Sequence, residues 1–418
     1  MQISFREHTL DNGLRIVLHQ DPHQPIVALN LWYHVGAKNE RPGKTGFAHL
    51  FEHLMFQGSA NVDPNEHFKF VQEAGGSLNA STSFDRTNYY ETLPSNQLEL
   101  GLWLESDRMR SLNVNQRNLD NQKKVVIEER RFRYDNRPYG TMYEKLFKCA
   151  YGADPYSWPV IGSIEDVEQA SLEEVQAFHA MYYRPGNATL SLAGDIDFDS
   201  ALRSIEHYFG DISPGSEAPF RPEPPAVSSP AQSRETVFDD VPHPALVIGA
   251  KMPALTSEEV YAFETLTYLL TSGKSSRLYN KLVYTSRLAQ SVSSFPYALE
   301  HPGLFIIHAK AQEGKALEDI EAEIWSVLEE TQKEGPTDQE LAKAKNRYEA
   351  AYLRSMMQVQ SRADAMNAFA VYFNDVSRLN QELEAIRQVT ADDVQAVCRT
   401  YLQQQNATVL YYLPKEQR

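Results

Sequence analysis

Two stretches far apart in this chain repeat one another without a gap. VQAFHAMYYRPGNATLSL, from Val175, aligns with VQAVCRTYLQQQNATVLY, from Val394, sharing Val-Gln-Ala and Asn-Ala-Thr. GFAHLFEHLMFQGS near the start aligns with AFETLTYLLTSGKS in the second half at an almost equal offset. Duplication of one fold is the economical explanation. At 418 residues the chain is too long for a single compact core. Between the repeats, Ser213–Glu235 reads SPGSEAPFRPEPPAVSSPAQSRE, dense in Pro and Ser and without apolar periodicity, which marks a linker. The expected organisation is therefore a domain over 1–212, a linker over 213–235 and a homologous domain over 236–418.

Within the first half, LRIVLHQ and IVALNLWYHV carry the β-branched and aromatic residues of strands, and helices are expected over 45–57 and 65–74. GGSLNASTSFDRTNYYET alternates small and polar residues after a Gly pair, which suggests a hairpin with one exposed face. Helical patterns run over 96–110 and 115–148, and a closing strand over 188–193. Early strands, central helices and a late strand give an α+β class, each domain a mostly antiparallel sheet packed with helices.

Composition removes several functions. The two cysteines, Cys149 and Cys398, are too few for a disulfide framework or a thiolate zinc site. A formal net charge of -16 argues against nucleic acid, whose phosphates require a basic surface. No apolar run reaches the 18 or so residues of a membrane helix. The start, MQISFREHTLDNGL, lacks an apolar signal core. As it stands the sequence reads as cytoplasmic, and as periplasmic if a signal peptide was removed before Met1.

The chemistry is concentrated in His49-Leu50-Phe51-Glu52-His53. At 100° per residue these two imidazoles and the carboxylate fall within an arc of about 100° on a helix. Imidazoles at i and i+4 can direct nitrogens to one cation, while the intervening carboxylate reaches a coordinated water. In the second repeat Glu264, Thr267 and Tyr268 stand in their places, so the chemistry belongs to the first half. Catalytic zinc commonly takes a third protein ligand. Glu129, in NQKKVVIEERRF, has Val125, Val126 and Phe132 at helical neighbour positions, and this apolar face should turn inward. Glu128 has Lys124 and Arg131 beside it and reads as a solvated carboxylate.

On these residues the chain resembles the insulinase/pitrilysin family, the inverted zincins, whose HxxEH motif reverses the HExxH order. GFAHLFEHLMFQGS, GGSLNASTSFDRTNYY, KKVVIEE and YRPGNATLSLAGD carry the likeness through the first half, and SSRLYNKL extends it into the second. The family's third ligand lies about 76 residues after the second His, and Glu129 lies 76 after His53 (129 − 53). The resemblance implies one zinc ion per chain on His49, His53 and Glu129, with Glu52 as general base, and an overall fold forming half of a clam-shell. It also implies a peptide added as a strand beside the edge at Leu78, Asn79, Ala80 and Thr82.

Two positions depart from the family. Gln122 stands seven residues before Glu129 where a supporting Glu is common, and an amide supplies no such charge. The family's substrate-clamping Arg and Tyr align with Val283 and Gln290, which offer neither guanidinium nor phenol. The expected assembly is thus a heterodimer whose homologous partner lacks HxxEH and carries the Arg/Tyr pair. The alternative is a homodimer using Arg277, Tyr279 or Arg287. Two functions follow from the sequence: a zinc endopeptidase subunit acting on unfolded peptides, or a non-catalytic structural or peptide-binding subunit with a vestigial zinc site.

Overall fold

The computed structural model describes residues 2–215, 218–223 and 233–417. The first half of the chain runs β1 (Arg6–Thr9), β2 (Arg15–Gln20), β3 (Ile26–Tyr33), α1 (Phe47–Leu54), α2 (Glu66–Glu73), β4 (Ser77–Thr82), β5 (Thr87–Pro94), α3 (Leu98–Ser111), α4 (Gln116–Arg130), α5 (Met142–Tyr151), α6 (Ile164–Gln169), α7 (Leu172–Tyr182), β6 (Ala188–Gly194) and α8 (Phe198–Phe209). The second runs β7 (Ser233–Asp239), β8 (Ala245–Lys251), α9 (Glu259–Thr271), β9 (Ala289–Tyr297), β10 (Leu304–Ala311), α10 (Leu317–Glu334), α11 (Asp338–Ser355), α12 (Val359–Ala368), α13 (Glu382–Gln388), α14 (Ala391–Tyr401) and β11 (Ala407–Pro414).

The two sheets are built to one plan. The first has the order β1-β2-β6-β3-β5-β4 and the second β7-β11-β8-β10-β9. In the first, β2 and β6 pair parallel and the other pairs are antiparallel; in the second, β7 and β11 form the parallel pair. Strand for strand, β2, β6, β3, β5 and β4 correspond to β7, β11, β8, β10 and β9. The duplication legible in Val175 and Val394 is thus a duplication of topology, with β1 added at one edge of the first sheet.

The central strand β3 is buried along nearly its whole length, because helices cover both faces. Leu29 meets α3, where Gly101 sits against its side chain. On the opposite face Asn30 and Trp32 donate to Asp364 of α12 at 3.0 and 3.1 Å. Asn367 of the same helix donates to the Asn30 carbonyl and accepts from Ser191 of β6. The Asn30 and Asn367 amides and the Ser191 hydroxyl are thus paired in this interface.

The compact units do not follow the chain. One comprises Met1–Arg130, Trp158–Pro222 and Leu353–Asn380, the other Arg131–Ser157, Glu223–Tyr352 and Gln381–Arg418. Helix α5, from the first half, packs on β8 and β11, while α12, from the second half, packs on β3 and β6. These are corresponding helices on corresponding strands, so the exchange is reciprocal. The boundaries 1–212 and 236–418 therefore describe the repeats but not the units. Helical periodicity shows which face of a helix is apolar; it does not show which sheet receives it.

Two further expectations change. The helix read over 115–148 is interrupted: α4 ends at Arg130, Arg131–Asp135 form a π-helical turn, and α5 begins at Met142. Pro138 and Gly140 lie in the break, where a proline removes a helical donor and forces the preceding residue out of the helix. The linker is also shorter than read. Strand β7 starts at Ser233, and the carbonyl of Phe220 accepts from Asn39 and Tyr182 at 3.0 and 3.2 Å, binding that part of the segment to the first unit. Residues 216–217 and 224–232 of the expected linker lie outside the described residues. No helix among the described residues is long and apolar enough to cross a membrane.

Candidate metal centre and active site

Helix α1 is amphipathic in a way that sorts its residues by job. Phe47, Leu50, Phe51 and Leu54 recur at helical spacing and are buried, so His49, Glu52 and His53 occupy the other, half-buried side. Its N-terminus is held by a residue sequence reasoning missed. The buried carboxylate of Glu40 accepts from the N–H groups of Gly46 and Ala48 at 2.9 and 2.8 Å. These are among the donors a helix leaves unmatched at its start. Burial pushes the Glu40 carboxyl well above its ordinary range, with the two N–H bonds opposing. Gly46 itself has φ +88, and a Cβ there would lie 2.7 Å from the carbonyl oxygen of Ile161. Only glycine fits that approach.

Helix α4 packs against α1 and brings up Glu129. One carboxylate oxygen of Glu129 lies 3.1 Å from His53 Nε2 and 3.7 Å from His49 Nε2. The two imidazoles are 4.8 Å apart between ring centroids. One donor atom from each of the three residues falls within 4.8 Å of the others. Glu52 stands beside this group rather than in it, and its Oε2 accepts from the Thr82 hydroxyl at 2.6 Å. Burial raises the Glu52 carboxyl above its ordinary value, while the Thr82 bond and nearby cationic side chains oppose the shift.

The stripe of α4 that faces inward is Leu119, Gln122, Val126 and, half-buried, Glu129. Gln122 is therefore buried two turns from Glu129, on the same side of the helix. The apolar-face argument for Glu129 holds only for Val126: Val125 is 47% exposed and Phe132 is 80% exposed. The π-helical turn after Arg130 carries Phe132 out of register with α4. Glu128 is exposed, as expected.

The residues expected to meet a peptide lie on β4, which ends its sheet and pairs only with β5. Leu78 and Ala80 are half-buried and Asn79 is exposed. Asn79 is a strand residue, and its side-chain oxygen accepts from the Ala80 N–H at 2.9 Å. Thr82 differs from its companions, since its hydroxyl is committed to Glu52. In the second unit Val283 lies in a π-helical turn packed against the core, and Gln290 is exposed on β9. Arg277, offered above as a substitute clamp, is engaged by Glu340 at 2.8 Å and by Thr331 and the Gly335 carbonyl.

A second His and carboxylate group exists in the first unit: His67, Glu91 and Glu105, all buried. Its residues bond one another, leaving Glu91 Oε2 and Arg108 Nη1 buried without a hydrogen-bond partner among the described residues. His67 bonds Glu91 at 2.6 Å and Arg108 bonds Glu105 through Nε at 2.9 Å. Burial drives His67 down to about 3 and Glu91 up to about 7. An arginine already occupies the position a cation would need, and this cluster reads as a core network.

Two imidazole nitrogens and one carboxylate oxygen converging on a point, with the Glu52 carboxylate alongside and outside the group, form a donor set that could hold a metal ion. They fit zinc, which takes nitrogen and oxygen ligands and keeps a position open in catalytic sites. Residues 15–163 match the insulinase family (peptidase family M16), and residues 169–348 match the peptidase M16 inactive domain. The zinc protease PqqE of Helicobacter pylori is 31% identical over 413 residues, 97% of this chain and 92% of that one. The chain belongs to the insulinase family of peptidases.

Other similarities agree. An uncharacterized zinc protease of Bacillus subtilis, YmxG, is 24% identical over 406 residues, 97% of this chain and 98% of that one. Among solved structures, a protease from Helicobacter pylori superposes with a TM-score of 0.92 at 30% identity, covering 99% of this chain and 100% of that one. The periplasmic protease PqqL of Escherichia coli shares the fold at a TM-score of 0.82 and 18% identity, over all of this chain and 48% of that one.

Proposed function

We propose that this chain is the zinc-binding subunit of an endopeptidase that hydrolyses extended, unfolded peptides. The observation that carries the reading is the meeting of His49, His53 and Glu129 within 4.8 Å, with Glu52 left outside the donor set. His49, His53 and Glu129 would hold the metal. Bound there, a zinc ion would supply Lewis-acid polarisation of the scissile carbonyl and acidify water. Glu52 takes the proton from the attacking water and returns it to the departing amine. Thr82 orients this carboxylate through one oxygen and leaves the other for water. The peptide adds to the outer edge of β4 along Leu78, Asn79, Ala80 and Thr82, where alternate residues turn their main-chain groups outward, and the Asn79 carboxamide gives up its bond to Ala80.

The substrate clamp is supplied in this reading by a homologous partner subunit that lacks HxxEH and carries an Arg and a Tyr. Val283 and Gln290 support it, as does the engagement of Arg277. A homodimer drawing on Tyr279 or Arg287 is the alternative assembly. A second reading, a non-catalytic peptide-binding subunit, is favoured by the match of the second half to a domain described as inactive. Glu52 separates the two, since a structural zinc site has no use for an uncoordinated carboxylate.

Glu52→Gln is expected to keep one zinc per chain, measured by elemental analysis, and to lose peptide hydrolysis by at least about 100-fold in the presence of the partner. His49→Ala and His53→Ala are expected to lose the metal itself. Full hydrolysis by the Glu52 variant would sink the base assignment, and undiminished zinc in the histidine variants would sink the ligand assignment. The PqqL neighbour is a periplasmic protease; cell fractionation tests whether this chain shares that compartment.

A further inference from the structure

The edge strand β4 has two faces. Thr82, with its cross-strand partner Thr87, lies on the face towards α1 and Glu52. Ser81 pairs with Asn88, and Asn79 with Tyr90, on the face towards α12. On that second face a cavity of about 400 Å³ opens, lined by Ser81, Arg86, Asn88 and Tyr90 of the hairpin and by Gln360 and Asp364 of α12. All of these residues belong to the first unit.

Arg86 is the cation of this cavity. Its Nη1 donates to the Ser81 carbonyl at 2.9 Å and to Asn88 Oδ1 at 2.9 Å, and its guanidinium lies over the Trp32 ring, 5.2 Å from the centroid. Nε and Nη2 make no hydrogen bond among the described residues, and Arg86 forms no ion pair there. A half-buried guanidinium with three unused N–H groups favours an anionic ligand. Asp364, the anion in the same cavity, is already engaged: its Oδ1 accepts from Asn30, Trp32 and Asn88 at 3.0, 3.1 and 3.4 Å. Gln360 stands in the first turn of α12, where the helix dipole also favours negative charge.

A peptide lying along β4 would alternate its side chains between the two faces. We propose that this cavity is a substrate subsite selecting an acidic side chain, Asp or Glu, at positions of the peptide facing away from the metal centre, with Arg86 as the specificity-determining residue. The inference rests on the endopeptidase reading above and names the substrate class for it. An acidic residue would be favoured at such a position and not at its immediate neighbours, which point to the face of Glu52.

The test is a quenched-fluorescent peptide with a mapped cleavage site, in which each flanking position is set in turn to Glu, Gln or Lys. Chain and partner are assayed together. Glu is expected to exceed Gln in kcat/KM by about tenfold at one position or at positions two apart, and not in between. Arg86→Gln should bring that ratio towards one whatever its absolute rate. Arg86→Lys, which keeps the charge without the fork, should retain part of it and decides the matter if the Gln variant does not fold. Cleavage by wild type without any Glu preference, persistence of the preference in Arg86→Gln, or a Lys preference lost in Asp364→Asn would each overturn the proposal. If no peptide is cleaved, the endopeptidase reading fails instead. Anisotropy binding of the Glu and Gln peptides to Glu52→Gln then decides the subsite on its own: tighter binding of the Glu peptide supports it, and equal binding overturns it.

Discussion

At the scale of single residues, the candidate metal site depends on groups that lie outside it. Glu40 satisfies two N–H groups at the start of the helix that carries His49, Glu52 and His53. Removing its side chain leaves those donors buried without acceptors, at a cost of about 2–4 kcal/mol. Glu40→Ala is therefore expected to lower the denaturant midpoint and to weaken zinc retention together, whereas Glu40→Gln, which keeps one of the two acceptor oxygens, should lose about half as much. A midpoint for Glu40→Ala equal to that of wild type would refute this role. That His49, His53 and Glu129 meet was legible in the sequence from helical spacing and the position of Glu129. Glu40, Thr82 and Arg86 were not. Their roles depend on what stands opposite them in space, and no spacing rule brings Thr82 to Glu52 or Arg86 to Trp32. The face of Glu129 is only partly apolar as expected, since Val126 turns inward while Val125 and Phe132 are exposed.

At the scale of elements, the sequence located β2, β3, α1, α2, the β4–β5 hairpin, α3 and β6 within a few residues, but not the break after Arg130, nor β1, α6, α7 and α8. The exchange of α5 and α12 has a consequence that can be measured. Leu146 of α5 is fully buried and packs against Gly249 of β8, which has no side chain of its own to fill the space. Leu146→Ala should destabilise by about 2–4 kcal/mol. The loss should appear as faster amide exchange in β8 and β11 while β3 and β6 keep their protection. Faster exchange confined to β3 and β6 would contradict the assignment of α5. Arg277 and Glu340 offer a second measurement, on the start of α11. Pairing with Arg277 lowers the Glu340 carboxyl from 4.5 to about 2. A depressed folded-state pKa contributes stability above the unfolded value, and that contribution is lost as pH falls through the folded one. Glu340→Gln is expected to cost about 1–2 kcal/mol at pH 7, after allowance for its partial exposure. The difference from wild type should shrink between pH 4.5 and 2, and a constant difference across that range would refute the pairing as its source.

At the scale of the whole molecule, the repeat around Val175 and Val394 predicted two sheets of one plan, and strand order bears this out. Where one compact unit stops and the other begins was hidden, because a crossing helix looks like any amphipathic helix until its sheet is known. This bears on whether either half can fold alone. A chain of residues 1–222 lacks α12, and with it the cover over Asn30, Trp32 and Ser191, whose polar groups bond to Asp364 and Asn367. It also retains α5, whose apolar face has its sheet in the other half. Residues 223–418 have the complementary defect. Each fragment thus combines an uncovered sheet face with an unpartnered apolar helix, a combination that favours aggregation over a defined fold. Expressed separately, the halves are expected to be insoluble or to lack cooperative thermal unfolding; expressed together, they should co-purify and unfold near the intact chain. A fragment 1–222 that unfolds cooperatively by itself at the temperature of the intact protein would show that α12 is dispensable to the first sheet.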